Sequence, residues 1–332
     1  MTLTRATVRP VALAPEASGF LVGLAVFKTV EGATSALGGS IPVRLRSRVA
    51  PPGAAFPCAK TYASATMSAE EEWKALLSGA HADRSQKSPL RFIPSNPRCK
   101  LCRAPFRAPG GLLLRPFGFK PWAKNPKICG RCFSEMDKHA KRCPAPMDGE
   151  AVAGAEVELS MLFADVRGSS KIARQMSVSD FTRLMSRFYE VSKDVLFGAD
   201  AIVEKFVGDE VVALFLPFMT GPDHAGVALQ AAEDLLRATG HADASGPWAP
   251  LGAAVHTGTA FVGIVGSRGS SDFTALGDPM NLAAHLASQA AIGEILVTDA
   301  ALLAAGRPRD GLEHRHLSLK GYPADAVVYQ VS

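Results

Sequence analysis

Residues 158–170, ELSMLFADVRGSS, determine how the second half of the chain is interpreted. The apolar run ends at Asp165, and a Gly-Ser-Ser turn and a helical pattern follow, which predicts a strand, a tight turn and a helix. A second stretch, AIVEKFVGDEVVALFLP at residues 201–217, places Gly208 and Asp209 between two β-rich runs, as in a β-hairpin. Carboxylates on adjoining strand ends can share divalent cations, but Asp and Gly are also common as plain turn residues.

Helical and strand patterns alternate from residue 156 to residue 332. Helices are predicted over residues 171–176, 179–196, 223–242 and 279–288. Strands are predicted over residues 251–258 and 260–266, divided at Gly258 and Thr259, and over residues 272–276. Residues 294–299 and 326–331 are predicted to be edge strands. This order indicates an α+β fold, a ferredoxin-like sandwich with helices packed against one sheet.

The composition is that of an ordinary globular protein. The chain has 332 residues, of which 47% are hydrophobic and 20% charged, enough for roughly two domains and a sizeable core. The most apolar early run, residues 19–27, is too short to span a bilayer, and no clear signal peptide precedes it. We therefore expect a cytoplasmic protein without a membrane span.

Charge is distributed unevenly along the chain. Formal charges are +5 for residues 1–66, +8 for residues 67–150 and −8 for residues 151–332. A basic front half is suited to nucleic acid, to an acidic surface of another molecule, or to the acidic back half of its own chain. Nucleic acid is disfavoured because aromatic residues are sparse among the basic ones and no recognition-helix pattern is visible.

Residues 1–66 specify little structure. They are rich in Ala, Pro, Ser and Arg and poor in acids, which fits a disordered leader, a transit peptide or an upstream extension. Met67 is a plausible alternative start of translation, since Ser68 and Glu71 form a capping box ahead of a short predicted helix.

Two C-x-x-C pairs mark a basic unit over residues 67–142. Cys99 and Cys102 are followed, after an insert of 26 residues, by Cys129 and Cys132. Four thiolates in this pattern are typical of one structural Zn²⁺ in a zinc ribbon or treble clef, whereas disulfides and a thioredoxin-like redox pair are the alternatives. The insert contains a possible hairpin, residues 108–119, and a helix is predicted from Cys132 onward. Residues 143–155 are predicted to be a linker to the domain at residues 156–332.

Over essentially all of residues 156–332, five ordered motifs resemble the catalytic domain of class III nucleotidyl cyclases. They are FADVRGSS (163–170), EKFVGDEVVALF (204–215), HTGTAFVGIVGS (256–267), FTALGDPMNLAAHLAS (273–288) and LKGYPADAVVYQV (319–331). Five motifs in order, at compatible spacing, are far more specific than any one of them. The resemblance implies an adenylate cyclase that converts ATP to 3′,5′-cyclic AMP and pyrophosphate for intracellular signalling.

The resemblance also implies roles for individual residues. Asp165 and Asp209, with the main chain at Val166, match the positions that hold two Mg²⁺ or Mn²⁺ ions in each active site. Lys205 and Thr274 match the base-selecting positions, where this pair is typical of adenine. Asn281 matches the residue that orients the ribose and the transition state. The turn at Gly168, Ser169 and Ser170, at a helix start, can offer N–H groups to phosphate. The implied assembly is a head-to-tail homodimer whose active sites each take residues from both protomers.

One position departs from the family pattern. Four residues after Asn281, the family usually has an arginine, and here the residue is His285. Histidine is only partly charged near neutral pH and has at most two donors, unlike the always-charged arginine fork. A weakly active enzyme and a nucleotide-binding regulatory homologue are therefore both open, with a zinc-dependent nucleic-acid-binding protein as a further alternative. His224, His256, His314 and His316 lack ligand spacing and are expected to be structural or surface residues.

Overall fold

A computed structural model describes residues 69–80, 88–93, 96–135, 145–147, 150–267, 270–318 and 326–331. The helices are α1 Ala69–Leu77, α2 Gly110–Leu114, α3 Ser169–Gln175, α4 Val178–Gly198, α5 Pro217–Thr220, α6 His224–Ala238, α7 Asp278–Gln289 and α8 Asp299–Ala304. The strands are β1 Pro121–Trp122, β2 Asn125–Cys129, β3 Ala145–Met147, β4 Glu150–Val166, β5 Ile202–Val207, β6 Glu210–Phe215, β7 Leu251–Ser267, β8 Ser270–Leu276, β9 Ile295–Thr298, β10 His314–Leu317 and β11 Ala326–Val331.

One nine-stranded sheet organises the second half of the chain. Its main path runs β10-β11-β9-β7-β4-β6-β5, with β3 paired to β4 and β8 paired to β7. Within it, β4, α4, β5, β6, α6 and β7 follow the β-α-β-β-α-β order, and their strands lie side by side as β7-β4-β6-β5. These four strands pair antiparallel, whereas β7 and β9 pair parallel. The predicted ferredoxin-like α+β arrangement is therefore observed.

The two faces of this sheet carry separate apolar cores, because successive strand side chains point to opposite sides. On one face, Leu162 and Ala164 of β4 pack with buried residues of α4, α6 and α8. On the other face, Met161 and Phe163 belong to a cluster that also contains residues of α1, of α7 and of the four-cysteine segment. The cysteine segment therefore contributes to the core of the same compact unit, which contains all the described residues.

Several expectations about local structure are wrong. Gly258 and Thr259 do not divide two strands, because β7 runs unbroken through them along β4. Neither β9 nor β11 is at the edge of the sheet: β10, which was not predicted, lies outside β11. The possible hairpin at residues 108–119 is instead α2 followed by a 3₁₀ turn at Arg115–Phe117.

The structure adds detail to other expectations. Residues 130–135 are helical, so that helix starts two residues before Cys132, and its predicted remainder lies outside the described residues. The predicted linker, residues 143–155, is in strands β3 and β4 wherever it is described. Residues 1–66 and the capping residue Ser68 lie outside the described part of the chain. Among the described residues, no helix combines the length and the apolar character that a membrane crossing requires.

Candidate functional site

The two acidic turns meet at one end of the central sheet. β4 and β6 pair antiparallel with Asp165 opposite Glu210, and the Val166 N–H donates to the Asp209 carbonyl over 3.1 Å. Asp209 occupies the tight turn between β5 and β6, where Gly208 has a φ of 61°, a left-handed conformation that glycine adopts without strain. The expected proximity of the turns that carry Asp165 and Asp209 is therefore present.

Burial and mutual repulsion make this carboxylate group electrostatically unfavourable. Burial, and then the Asp209 carboxylate, raise the pKa of Asp165 to about 6. Burial, and then the charges of Asp165 and Asp209, raise the pKa of Glu210 to about 7. Like charges held together in a partly desolvated place favour protonation or a bound cation. Oxygen ligands of this type suit Mg²⁺ or Mn²⁺.

Arg167 connects the Asp165 turn to the C-terminal end of α7. Its Nη2 lies 2.7 Å from Asp165 Oδ2, and its guanidinium donates to the carbonyls of Ala287 and Ser288 over 2.7 and 2.9 Å. Cations are stabilising at the last carbonyls of a helix. The guanidinium therefore fixes α7, the helix of Asn281 and His285, relative to the first acidic turn.

A buried carboxylate lies between Lys205 and Thr274. Glu204 is only 4% exposed, and its Oε1 accepts a hydrogen bond from Thr274 Oγ1 over 2.8 Å. Its Oε2 lies 3.2 Å from Lys205 Nζ, an ion pair without the alignment of a hydrogen bond. The register of β5 against β6 shifts between Val203 and Lys205, so Glu204 occupies a β-bulge. Bulges re-aim side chains next to functional sites, and here one brings Glu204 together with both residues.

The remaining predicted residues lie at helix starts or on an accessible helix. Asn281 is exposed and His285 half-buried, one turn apart on α7. Gly168 precedes α3 with a φ of 69°, Ser169 is buried and Ser170 is exposed. Lys205 is exposed as well, whereas Asp165, Asp209 and Thr274 are half-buried. Three of these side chains, those of Ser170, Lys205 and Asn281, are therefore exposed in the single chain.

The four cysteines converge as the sequence predicts. Their sulfur atoms all lie within 4.8 Å of one another, with 3.8 Å between Cys99 and Cys132 and 3.6 Å between Cys102 and Cys129. A disulfide would require about 2.05 Å, whereas a tetrahedron with Zn–S bonds of about 2.3 Å has its sulfurs roughly 3.8 Å apart. The N–H groups of Cys129 and Cys132 donate to the sulfurs of Cys99 and Cys129 over 3.3 Å. Hydrogen bonding from Cys102 lowers the pKa of both Cys99 and Cys129, whereas hydrogen bonding within the same cluster raises the pKa of Cys102 and of Cys132.

The β1–β2 hairpin of the cysteine segment contacts the strands that carry Lys205 and Thr274. Lys124, in the hairpin turn, accepts a hydrogen bond at its carbonyl from the Val203 N–H over 3.0 Å. Its ammonium donates to the Phe273 carbonyl over 3.0 Å and pairs with Asp272 at 2.7 Å. Trp122 stacks on Phe133 and meets Phe273 edge to face. Lys124 thus holds the residue before Glu204 and the residue before Thr274.

Charge complementarity supports the same contact. Asp200, at the start of the segment leading into β5, pairs with both Lys100 and Lys127. The two ammonium groups also donate to the carbonyls of Met219 and Gly198 over 2.8 and 3.0 Å. Of the uses considered for the basic front half, contact with the acidic back half of its own chain is therefore observed in these residues.

The other histidines take the structural or surface roles expected of them. Buried His224 bonds to Ser160 at 2.9 Å, and buried His256 bonds to Thr298 at 2.9 Å. Desolvation lowers the pKa of both imidazoles, that of His256 to about 4. His314 and His316 are exposed on β10.

Sequence reasoning missed four residues that contact the site: Arg167, Glu204, Glu210 and Lys124. The first three lie next to residues that the motifs single out, so their position in the chain was a usable signal. Nothing local indicated Lys124, because its partners on β5 and β8 are far away in the sequence.

Comparison with known proteins gives a consistent result. A sequence model described as the adenylate and guanylate cyclase catalytic domain matches residues 152–330, more than half of the chain. Adenylate cyclase 1 of Rhizobium meliloti (strain 1021) is 31% identical over 134 residues, which are 39% of this chain and 20% of that protein. The adenylate cyclase of Anabaena cylindrica is 26% identical over 141 residues, 41% of this chain and 28% of that protein. The chain therefore matches less than a third of the length of these relatives.

A solved structure shows the same fold. The guanylyl cyclase Cya2 superposes with a TM-score of 0.50 at 21% identity, covering 54% of this chain and 93% of that chain. At this identity the likeness concerns the fold alone. The match over residues 152–330 and the observed topology agree, and the chain belongs to the family of adenylate and guanylate cyclase catalytic domains.

Proposed function

We propose that the chain is a nucleotidyl cyclase that converts ATP to 3′,5′-cyclic AMP and pyrophosphate. The observation that carries the proposal is the meeting of Asp165 and Asp209 at one sheet end within the cyclase domain. The raised pKa of Asp165 supports it, because a divalent cation would stabilise the charged carboxylate against the burial and the Asp209 repulsion that raise this pKa. The similarity to the adenylate cyclases of Rhizobium and Anabaena supports ATP as the substrate. Lys205 and Thr274 support it as well, because this pair resembles adenine-selecting sites.

The residues fit two Mg²⁺ or Mn²⁺ ions held by Asp165, Asp209 and the main chain at Val166. When bound, such ions lower the pKa of a hydroxyl and neutralise phosphate charge. The chain's own contribution is positioning, which supplies most of the catalysis in phosphoryl transfer. In the proposal, Lys205 and Thr274 bind the base, Asn281 orients the ribose, and the N–H groups at Gly168, Ser169 and Ser170 bind phosphate.

We infer that the active form is a head-to-tail homodimer. Lys205 and Asn281 are exposed in the single chain, and a second protomer packed over them would exclude water from the nucleotide. Closed two-fold symmetry would give two equivalent sites.

The four-cysteine cluster is proposed to hold one structural Zn²⁺. Its sulfur separations support this assignment. A nucleic-acid-binding role is not favoured, because Lys100, Lys124 and Lys127 pair with Asp200 and Asp272 of the cyclase domain.

A second candidate function is nucleotide binding in a regulatory role, with little turnover. The observation that favours it is His285, which stands one turn after Asn281 where related cyclases usually have arginine. Loss of one preorganised charged donor costs roughly 10²–10³ in rate.

Both candidates are tested by one assay of the full chain with ATP and GTP in Mg²⁺ and in Mn²⁺. We expect cyclic AMP from the wild type, none from Asp165→Ala, and about a hundredfold faster turnover from His285→Arg. Product that persists in Asp165→Ala would contradict the two-metal proposal. If only His285→Arg forms product, the regulatory role is correct instead.

A further inference from the structure

We propose that Glu204 determines the preference for adenine by fixing the Thr274 hydroxyl as a hydrogen-bond acceptor toward the base. This inference rests on the proposed function, since it takes Lys205 and Thr274 as the residues that face the nucleotide base. It adds a specificity-determining residue that touches neither the base nor the phosphates and acts through its two neighbours.

The Thr274 hydroxyl directs its proton into the protein. A hydroxyl has one proton to donate and two lone pairs to accept with. The near partners of Thr274 Oγ1 are Glu204 Oε1 at 2.8 Å and, more weakly, the Ala275 carbonyl at 3.4 Å. Both are acceptors, so the proton points into the protein and only lone pairs remain for a ligand.

Glu204 has an ammonium partner for its buried carboxylate. Its carboxylate is 4% exposed, and burying a charge is unfavourable unless a partner compensates it. Lys205 Nζ lies 3.2 Å from Oε2, so the ammonium supports the ionised form that only accepts hydrogen bonds. The bulge at Glu204 makes this possible, because regular β geometry would send the side chains of Glu204 and Lys205 to opposite faces.

The hydrogen-bonding groups of Lys205 and Thr274 complement adenine better than guanine. Adenine carries an amino donor at C6 and an acceptor at N1, whereas guanine carries a carbonyl acceptor at C6 and a donor at N1. A Thr274 oxygen that only accepts and a Lys205 ammonium that only donates complement the adenine edge. Opposite guanine, the Thr274 oxygen would face another acceptor, the C6 carbonyl, and the Lys205 ammonium would face another donor at N1. A site built to hydrogen-bond one pattern rejects the other because buried polar groups are left unpaired.

Glu204→Gln tests the inference while conserving size. Lys205 would attract the amide oxygen, which leaves the amide NH₂ toward Thr274. The Thr274 hydroxyl would then accept from that NH₂, and its own proton would be left with the weak Ala275 contact at 3.4 Å or with an acceptor on the side of the base. We therefore expect the preference for ATP over GTP, as the ratio of their kcat/KM values, to fall about tenfold or more.

The matched control is Glu294→Gln, which makes the same change at another buried glutamate, one that pairs with Arg315. It should leave the ATP to GTP ratio unchanged. Thr274→Val removes the hydroxyl at nearly constant volume, and in that background Glu204→Gln should no longer alter the ratio. A melting curve for each variant verifies that it is folded.

Displacement of bound mant-ATP by ATP and by GTP measures the two binding affinities. Their ratio reports the preference for ATP even if the chain does not catalyse cyclisation. If neither nucleotide is cyclised but ATP competes better and Glu204→Gln removes that advantage, the cyclase proposal fails and the role of Glu204 stands. If product forms and Glu204→Gln leaves the ratio unchanged, the role of Glu204 is overturned and the cyclase proposal stands. A wild type that binds ATP and GTP equally also overturns the role of Glu204.

Discussion

At the scale of single residues, the charges of Asp165 and Glu210 lower the stability of the fold. Asp165 and Glu210 have higher pKa values in the folded chain than the ordinary values of 3.8 and 4.5. Between those values and about pH 7, the folded state binds more protons than the unfolded state. Stability therefore falls as pH rises through this range, the opposite of what an aspartate with a lowered pKa would give.

Asp165→Asn should remove part of this effect. Without Mg²⁺ or Mn²⁺, we expect the variant to melt about 5 °C above the wild type at pH 8 and at nearly the same temperature at pH 4. Added Mg²⁺ should raise the melting temperature of the wild type and not that of the variant. The exposed Asp310→Asn serves as the control. A variant less stable than the wild type at pH 8 would show that the ion pair with Arg167 outweighs the burial and the repulsion of the Asp165 charge.

At the scale of elements, a fully buried amide holds the β1–β2 hairpin to the residue that precedes β5 of the nine-stranded sheet. Asn125 Nδ2 donates to the Ala201 carbonyl over 2.7 Å, and Asn125 Oδ1 accepts from the Lys127 N–H over 2.7 Å. Asn125→Ala leaves both partners without their hydrogen bond, so we expect about 1–3 kcal/mol lower unfolding free energy in urea. Gln230→Ala, at an exposed amide on α6, should change it by less than about 0.5 kcal/mol. Equal effects of the two variants would contradict this role of Asn125.

Some of the helices, strands and turns are determined by local sequence, and others are not. The strand–turn–helix at Asp165, the hairpin at Asp209 and the helices α4, α6 and α7 follow from periodicity, turn residues and caps, so they were predictable. The continuity of β7 through Gly258 was not, because its long partner β4 is distant in sequence. The contact between Glu204 and Thr274 depends on a bulge in β5 and on where β8 lies, neither of which has a local pattern.

At the scale of the whole molecule, the cysteine cluster and the cyclase domain should unfold together, because they share one apolar cluster. A metal present at about a thousand times its dissociation constant contributes roughly 4 kcal/mol of stability. We therefore expect that the double variant Cys99→Ser, Cys129→Ser does not bind the proposed zinc and that its single calorimetric transition lies about 10 °C below that of the wild type. Metal analysis accompanies the calorimetry, and Cys58→Ser, outside both C-x-x-C pairs, is the control. Two separate transitions, or an unchanged melting temperature without zinc, would contradict the expectation.

The apolar cluster shared by the cysteine segment and the cyclase domain also determines which truncated fragments of this chain can fold. The family match begins at residue 152, yet Trp73 and Leu77 of α1, together with Ile128, cover the face of the sheet that holds Met161 and Phe163. A fragment trimmed to the matched region would expose this face to water, and exposed apolar patches of that kind promote aggregation. Residues 152–330 of this chain are therefore a poor choice for insertion into a fusion protein unless residues 67–151 accompany them.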